Sequence, residues 1–212
     1  MTISLDSALR RGLDVIVSAT VLVLLAPLLA VMAALVKLGS RGPVFFVQER
    51  IGRGGAPFGL LKFRTMVSDA RARGPKITVG ADPRITPIGA VLRRHKLDEL
   101  PQFANVLRGD MSLVGPRPEV PEYVAHYTEE QRRVFAVRPG ITDPASLAYH
   151  DEASLLATFD DPERAYREQV LPRKLAISLD YLARRTVASD LRVMAETALR
   201  MIVRPRSMSA FR

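Results

Sequence analysis

The sequence predicts a helix-rich α/β protein with an N-terminal membrane helix and a compact domain holding a small β-hairpin and amphipathic helices. Three observations carry this. Residues 15–36 are a run of 22 without a charge. Two short stretches of β-type residues flank a glycine cluster. From Leu171 onward, apolar residues recur at helical spacing.

At 1.5 Å per residue, the uncharged run is long enough for a bilayer core of about 30 Å. It is too long for the apolar part of a signal peptide, and no clean cleavage site follows. Arg10 and Arg11 precede it and Lys37 and Arg41 follow it, so charge does not assign the two ends to opposite faces. Ala26-Pro27 lies near its centre, where proline removes a backbone donor and kinks a helix. The residues favour a bent helix that dips in and returns. A spanning helix stays open, because Ser18 and Thr20 lie too far back to satisfy backbone groups freed at the bend. Residues 1–40 read as the membrane anchor and 41–212 as one domain with its C-terminal amphipathic helices.

After the basic exit Gly39 to Pro43, Val44–Arg50 and Phe58–Met66 read as strands joined through Gly52-Arg53-Gly54-Gly55. Side chains alternate along a strand, so Lys62 and Arg64 are expected on one face, where two cations can grip a diphosphate. Ser68 to Arg84, polar, basic and broken by Pro75, Gly80 and Pro83, reads as a mobile loop.

Lys and Arg number 31 against 22 Asp and Glu, a net charge of +9. That excess calls for an anionic partner. Tryptophan is absent and aromatic residues are sparse, a poor basis for stacking single-stranded nucleic acid. A phosphorylated substrate or a membrane surface is therefore favoured and nucleic acid is not expected. The lack of cysteine excludes disulfides, thiolate metal sites and a cysteine nucleophile. The three histidines are too scattered to suggest a metal cluster.

The chemistry gathers in the middle of the chain. Thr86 to His95 reads as a helix with Arg93 and Arg94 at its C-terminal end, where cations are favourable. A second helix follows Asp98-Glu99, with Leu100, Phe103, Ala104 and Leu107 marking its buried side. Asp98 has two readings. It can cap that helix. It can also attack a phosphoanhydride, giving an acyl phosphate that keeps much of the bond's transfer potential. Two adjacent carboxylates invite Mg2+, which shares oxygen ligands with substrate phosphates; Asp98 is the candidate metal ligand. Arg93 and Arg117 offer planar, permanently charged forks for phosphate oxygens. The turn Gly115-Pro116-Arg117-Pro118 fixes Arg117 between two prolines and so lowers the entropy lost on binding.

Taken in order, Lys62-Phe63-Arg64-Thr65-Met66, Leu97-Asp98-Glu99-Leu100-Pro101-Gln102, Asn105-Val106-Leu107, Gly109 to Pro118 and Arg138-Pro139-Gly140-Ile141-Thr142 resemble the bacterial sugar transferase family. These are the monotopic polyprenyl-phosphate phosphoglycosyl transferases of small type, and the resemblance runs over nearly the whole chain. It implies transfer of a sugar 1-phosphate from a UDP-sugar to undecaprenyl phosphate with release of UMP, dependent on Mg2+. It implies a covalent phospho-sugar on Asp98, assistance from Glu99 in deprotonating or positioning the incoming phosphate, and phosphate contacts from Arg93 and Arg117. It also implies a re-entrant helix, membrane-lipid contact and a place on the cytoplasmic face of a bacterial inner membrane, at the first membrane step of a surface glycoconjugate pathway. A homo-oligomer stays open. The family's Ser-Pro bend is Ala26-Pro27 here, which removes one hydroxyl expected at the kink.

Asp143-Pro144-Ala145-Ser146 departs from the family pattern, and a different local loop is favoured over a different sugar preference. Glu129–Val137 and Pro162–Val170 are expected as largely solvated helices. Two stripes follow, Leu175, Leu179 and Leu182, then Leu191, Met194, Ala198, Leu199 and Ile202. Their basic surroundings, Arg173 through Arg206, suit an anionic lipid surface as well as a core-packed helix. Two rival functions remain: a non-catalytic basic membrane-bound binding module, and the same transfer without a covalent intermediate.

Overall fold

The computed structural model describes residues 5–70 and 82–202. Two N-terminal helices, α1 (Leu5–Leu24) and α2 (Ala26–Gly39), lead into a hairpin of β1 (Phe45–Ile51) and β2 (Pro57–Phe63). Then come α3 (Pro87–Arg94), a 3-10 turn over Leu97–Glu99, α4 (Gln102–Arg108) and β3 (Ser112–Val114). The rest is helical except β4 (Gly140–Thr142): α5 (Pro121–Val124), α6 (Glu129–Arg132), α7 (Pro144–Ala148), α8 (Glu152–Leu156), α9 (Pro162–Ala165), α10 (Leu171–Ala183) and α11 (Val187–Ile202). The helix-rich α/β class is as expected. β1 and β2 pair antiparallel from Phe45↔Phe63 to Ile51↔Pro57. A second, parallel pair, Ser112↔Gly140 and Val114↔Thr142, is one the sequence reading did not anticipate.

The uncharged run breaks at Leu25, one residue before Ala26-Pro27, and the two helices meet at 63°. No single described helix is long and apolar enough to cross a membrane, though the bent pair passes that test together. The chain stays helically bonded through the bend: Leu25 N–H donates to Val21 O at 2.9 Å and Leu29 N–H to Leu25 O at 2.8 Å. Proline has no N–H and the break falls where that bond would be missing.

Both arms of the bent pair are bonded into the domain. In α1, the Arg11 guanidinium donates to Val106 O at 2.7 Å and Leu107 O at 2.9 Å. A cation there adds to the bonding of carbonyls in the last turn of α4 and meets its negative dipole end. Buried Asp14 accepts from Ser112 Oγ at 3.0 Å and Leu113 N–H at 2.8 Å. Arg10 pairs with buried Asp190 at 2.9 Å, an acid that also holds Arg185 and the Tyr181 hydroxyl. In α2, Met32 and Val36 pack with Phe63 and Leu92 in one core cluster.

Arg64 corrects the sequence reading. β2 ends at Phe63, so the alternation that would place Arg64 beside Lys62 stops one residue short. The Arg64 guanidinium instead donates to Val36 O at 3.2 Å, Ser40 O at 2.8 Å and Arg41 O, all at the C-terminal end of α2. Its exposure is 5%. A buried cation so engaged holds the helix end rather than a diphosphate. Arg64→Ala is expected to destabilise the protein by about 3 kcal/mol, since hydrogen bonds to charged groups contribute about 1.5–3 kcal/mol and their loss leaves buried carbonyls unpaired. Thermal unfolding of the detergent-purified variant measures this, and activity per folded molecule should hold.

Further differences follow the packing. The buried positions of α4 are Gln102, Asn105 and Val106 rather than the side through Leu107. Asn105 turns inward to complete the edge of β2, accepting from Leu61 N–H at 2.9 Å and donating to Gly59 O at 2.8 Å. Pro162–Val170 is not solvated throughout: Ala165, Tyr166 and Val170 join a core with Tyr123, Tyr127 and Leu175. On α11, Asp190 and Val193 are buried, whereas Leu191 and Leu199 of the expected stripe are 48% and 59% exposed. Most of the loop expected over 68–84 lies outside the described residues, as do Arg204 and Arg206. The loop's ends meet, with Val67 N–H donating to Arg84 O at 3.0 Å.

Candidate active site

The site forms where three segments converge on β2. The first is the turn after α3. Thr86 caps that helix by accepting from Gly89 N–H at 3.0 Å. Gly89 must be glycine because a Cβ there would lie 2.0 Å from Thr65 O. That close approach sets Arg93 beside Thr65, and its Nε donates to Thr65 Oγ1 at 2.9 Å. The chain then reverses at Lys96, a non-glycine residue with φ 56° and ψ 19°. This left-handed conformation costs about 1–2 kcal/mol, and such outliers gather where geometry serves function.

Asp98 and Glu99 follow in the 3-10 turn. The capping reading of Asp98 does not hold: α4 starts at Gln102, its N-cap is Pro101, and no side chain caps it. Asp98 is nevertheless 8% exposed, and no hydrogen bond fixes its carboxylate among the described residues. Burial, then the neighbouring Glu99 charge, push its carboxyl above the usual value of 3.8, while Lys62, Arg93 and Lys96 pull it back only in part.

Glu99 has the opposite environment. Its Oε1 accepts from Arg117 Nη2 at 2.6 Å and from Lys62 Nζ at 2.9 Å, with Arg117 Nη1 3.5 Å from Oε2. Burial opposes its ionised form, but Arg117 and Lys62 outweigh it and hold the carboxyl well below 4.5. Two adjacent carboxylates are thereby driven apart, one toward the neutral form and one fixed as an anion. Such divergence marks functional clusters. The Arg117 side chain keeps 33% of its surface exposed, so solvent-borne ligands can reach it.

Two motifs packed back to back hold Arg117. Gly140 N–H donates to Pro116 O and Gly115 N–H to Thr142 O, each at 3.0 Å, while Ser112 N–H donates to Pro139 O at 2.8 Å. A Cβ on Gly140 would come within 2.1 Å of Gly115 N, so the approach demands glycine. The sequence reading missed Arg50 and Glu119, which brace the same turn. Arg50 Nη1 donates to Pro118 O at 2.9 Å and lies 3.3 Å from Glu119, and Ile51 N–H donates to Glu119 O at 2.9 Å. The Tyr166 hydroxyl donates to Glu119 Oε1 at 2.5 Å. Glu119 directly follows Pro118, the one signal that could have drawn attention to it; Arg50 and Tyr166 carry none.

The structure thus gathers Lys62, Arg93, Asp98, Glu99 and Arg117, and it places Arg64, Ala26 and Pro27 elsewhere. The departure Asp143 to Ser146 forms the start of α7 rather than a loop. Asp143 is 1% exposed, caps α7 by accepting from Ser146 N–H at 2.8 Å, and accepts from Ser178 Oγ at 2.7 Å. As to Mg2+, no group of three or more potential ligands gathers among the described residues. The Asp98 carboxylate, with no hydrogen bond among the described residues, suits a hard cation that takes its remaining oxygens from substrate phosphates and water. Glu99 is already engaged by two cations.

Relatives give the fold a context. A Caulobacter vibrioides protein named UDP-glucose:undecaprenyl-phosphate glucose-1-phosphate transferase is 38% identical over 193 residues, 89% of this chain and 67% of its own length. The exopolysaccharide production protein PSS of Rhizobium leguminosarum is 37% identical, with 94% of this chain and 98% of that protein covered. An Aeromonas hydrophila N-acetylgalactosaminephosphotransferase acting on undecaprenyl phosphate is 40% identical over 146 residues, 66% of this chain, and the match spans 34% of its length. The pattern of the Bacterial sugar transferase family matches residues 5–204. With nearly the whole chain covered and Asp98, Glu99 and Arg117 gathered as described, this protein belongs to the bacterial sugar transferase family.

Proposed function

We propose that this protein transfers a sugar 1-phosphate from a UDP-sugar to undecaprenyl phosphate through a covalent intermediate on Asp98. The observation that carries the reading is Asp98 itself: a buried carboxylate, held by no hydrogen bond among the described residues, in the field of Lys62, Arg93 and Lys96, with Arg117 clasping the adjacent Glu99. The relatives named for undecaprenyl-phosphate sugar-1-phosphate transfer support the substrate class.

In the first step an Asp98 oxygen attacks the phosphorus that carries the sugar. The bridging bond to the nucleotide breaks and UMP leaves with the bridging oxygen. The acyl phosphate so formed retains the transfer potential of the anhydride. In the second step an oxygen of undecaprenyl phosphate attacks the same phosphorus, the bond to Asp98 breaks, and the carboxylate is restored. Arg93 and Arg117 stabilise charge on the phosphoryl oxygens with permanently protonated donors. Glu99, held ionised far below neutral pH, is a poor proton acceptor and serves by positioning Lys62 and Arg117. Mg2+ held at Asp98 would neutralise phosphate charge.

The test is a transfer assay across several UDP-sugars with Mg2+. A burst of about one UMP per enzyme without undecaprenyl phosphate is expected. A strict need for the acceptor before any UMP appears would favour direct transfer.

The anchor of this reading is a re-entrant α1–α2 pair, with the domain on the cytoplasmic face. Arg10, Arg11 and Asp14 tie one arm to the domain and Arg64 ties the end of the other to that same domain. A straight span of about 30 Å would carry these ends to opposite faces. The residues between present Ile16, Val23, Leu24, Val31 and Leu35 outward, 46–72% exposed. Because the chain has no cysteine, Ser7→Cys and Arg41→Cys report topology directly. Neither should react with an impermeant maleimide in intact cells, and both should react in inverted vesicles. Labelling of one alone in intact cells would indicate a span.

A further inference from the structure

We propose that Glu99 is a built-in competitor for the phosphate seat formed by Lys62 and Arg117, returning to it as UMP leaves. The proposal rests on the reading of the site as a nucleotide-sugar centre and adds a role for Glu99 in release rather than in bond making.

The geometry supports it from three sides. The Glu99 carboxylate engages both cations at once, at 2.6 Å from Arg117 and 2.9 Å from Lys62, with a longer 3.5 Å approach from the second Arg117 nitrogen. Both short bonds end on Oε1, and the longer approach to Oε2 sets the two nitrogens of the Arg117 fork against the two carboxylate oxygens, the orientation in which an arginine takes a phosphate. The two cations come from different elements, β2 and the Pro116–Pro118 turn, so one small anion bridges what a phosphate would bridge. The side chains are also closely matched in exposure, with Lys62 17% and Glu99 16% exposed, while Arg117 at 33% forms the open rim. An incoming anion therefore meets Arg117 first and exchanges with Glu99 from the rim inward.

The chemical need is plain. UMP departs as a phosphate monoester carrying more charge on its terminal phosphate than the diester linkage it came from. Two cations in a partly buried seat hold such a product strongly, because charge-assisted hydrogen bonds are the strong ones. A tethered carboxylate one residue from the nucleophile competes at high effective concentration. It lowers the affinity of the departing anion without leaving the cations unpaired in a buried site, which would be costly. Product release limits turnover in many enzymes, and the device acts on that step.

The experiment measures binding of UMP and of inorganic pyrophosphate to the full-length protein in detergent, by calorimetry in Mg2+-free buffer. Glu99→Gln removes the charge with little change of shape and is expected to bind both anions about 10-fold or more tightly than wild type, the scale of one charge-assisted hydrogen bond. Glu99→Asp keeps the charge on a shorter stem that cannot reach both donors, and an intermediate tightening is expected. It also reports if the glutamine variant fails to fold. In turnover, Glu99→Gln should show stronger product inhibition by UMP. Unchanged or weaker anion binding in both variants overturns the proposal, and so does binding of neither anion by any form. Wild type that binds UMP yet turns over no UDP-sugar would overturn the transferase reading instead, leaving the competition itself to be read from the variants.

Discussion

Asp98→Asn should abolish UMP release, by at least about 10^3-fold in kcat, the scale lost when a covalent nucleophile is removed. The amide keeps the size of the carboxylate but cannot form a stable acyl phosphate. Intact-mass measurement after mixing with UDP-sugar should show a phospho-sugar adduct on wild type and none on the variant. Folding should survive, because the variant replaces a buried carboxylate that the fold already pushes toward its neutral form. For a group whose folded pKa is raised, the stabilising contribution is present below the unfolded value and lost as pH rises through the folded one. At neutral pH the charged Asp98 therefore costs stability, and the variant should unfold at an equal or higher temperature. An Asp98→Asn protein with wild-type turnover would remove the nucleophile assignment.

The same shift sets the pH profile. Attack needs the ionised carboxylate, so the acid limb of kcat/KM should fall above 3.8, the usual value for aspartate, as burial and the Glu99 charge require. Glu99→Gln removes that charge and frees Lys62 and Arg117 to favour ionised Asp98. The acid limb of its residual activity should move to lower pH. Glu99 itself runs the other way: its folded value is depressed, so its ion pairs contribute stability above 4.5 that is lost only as pH falls through the lowered value.

Arg117→Ala is expected to lower kcat/KM about 10- to 100-fold, equivalent to one charge-assisted hydrogen bond to a phosphate oxygen. The side chain is partly open and its removal leaves Glu99 still paired with Lys62, so the fold should hold. Arg117→Lys should restore charge but not the two-pronged geometry, and recover only part of the activity. The partial rescue separates the planar fork from charge alone. Full activity in Arg117→Lys would reduce Arg117 to a point charge.

Much of the site was legible because its motifs are local. Asp98-Glu99 and Gly115 to Pro118 are contiguous in sequence, and their chemistry follows from residue type. Arg64 misled for a physical reason. Alternation holds only inside a strand, and β2 stops one residue before it. Asp98 as a helix cap was a fair expectation from a carboxylate ahead of a helical run. What defeats it is a short 3-10 turn, entered through the left-handed Lys96, that delays α4 to Gln102. The bracing of Arg117 by Arg50, Glu119 and Tyr166 joins residues as far as 69 positions apart, a separation no local pattern records.

The sequence by itself determined the uncharged N-terminal run, its break beside Pro27, the hairpin and the residues able to do phosphoryl chemistry, because length, backbone restriction, alternation and side-chain type act over a few neighbours. Tertiary structure decided which cations meet which carboxylate. It sent Arg64 to a helix end, paired Glu99 with Lys62 and Arg117, and left Asp98 buried and, among the described residues, without a hydrogen bond. Charge pairing and burial depend on distances across the fold, and those exist only once distant segments have packed.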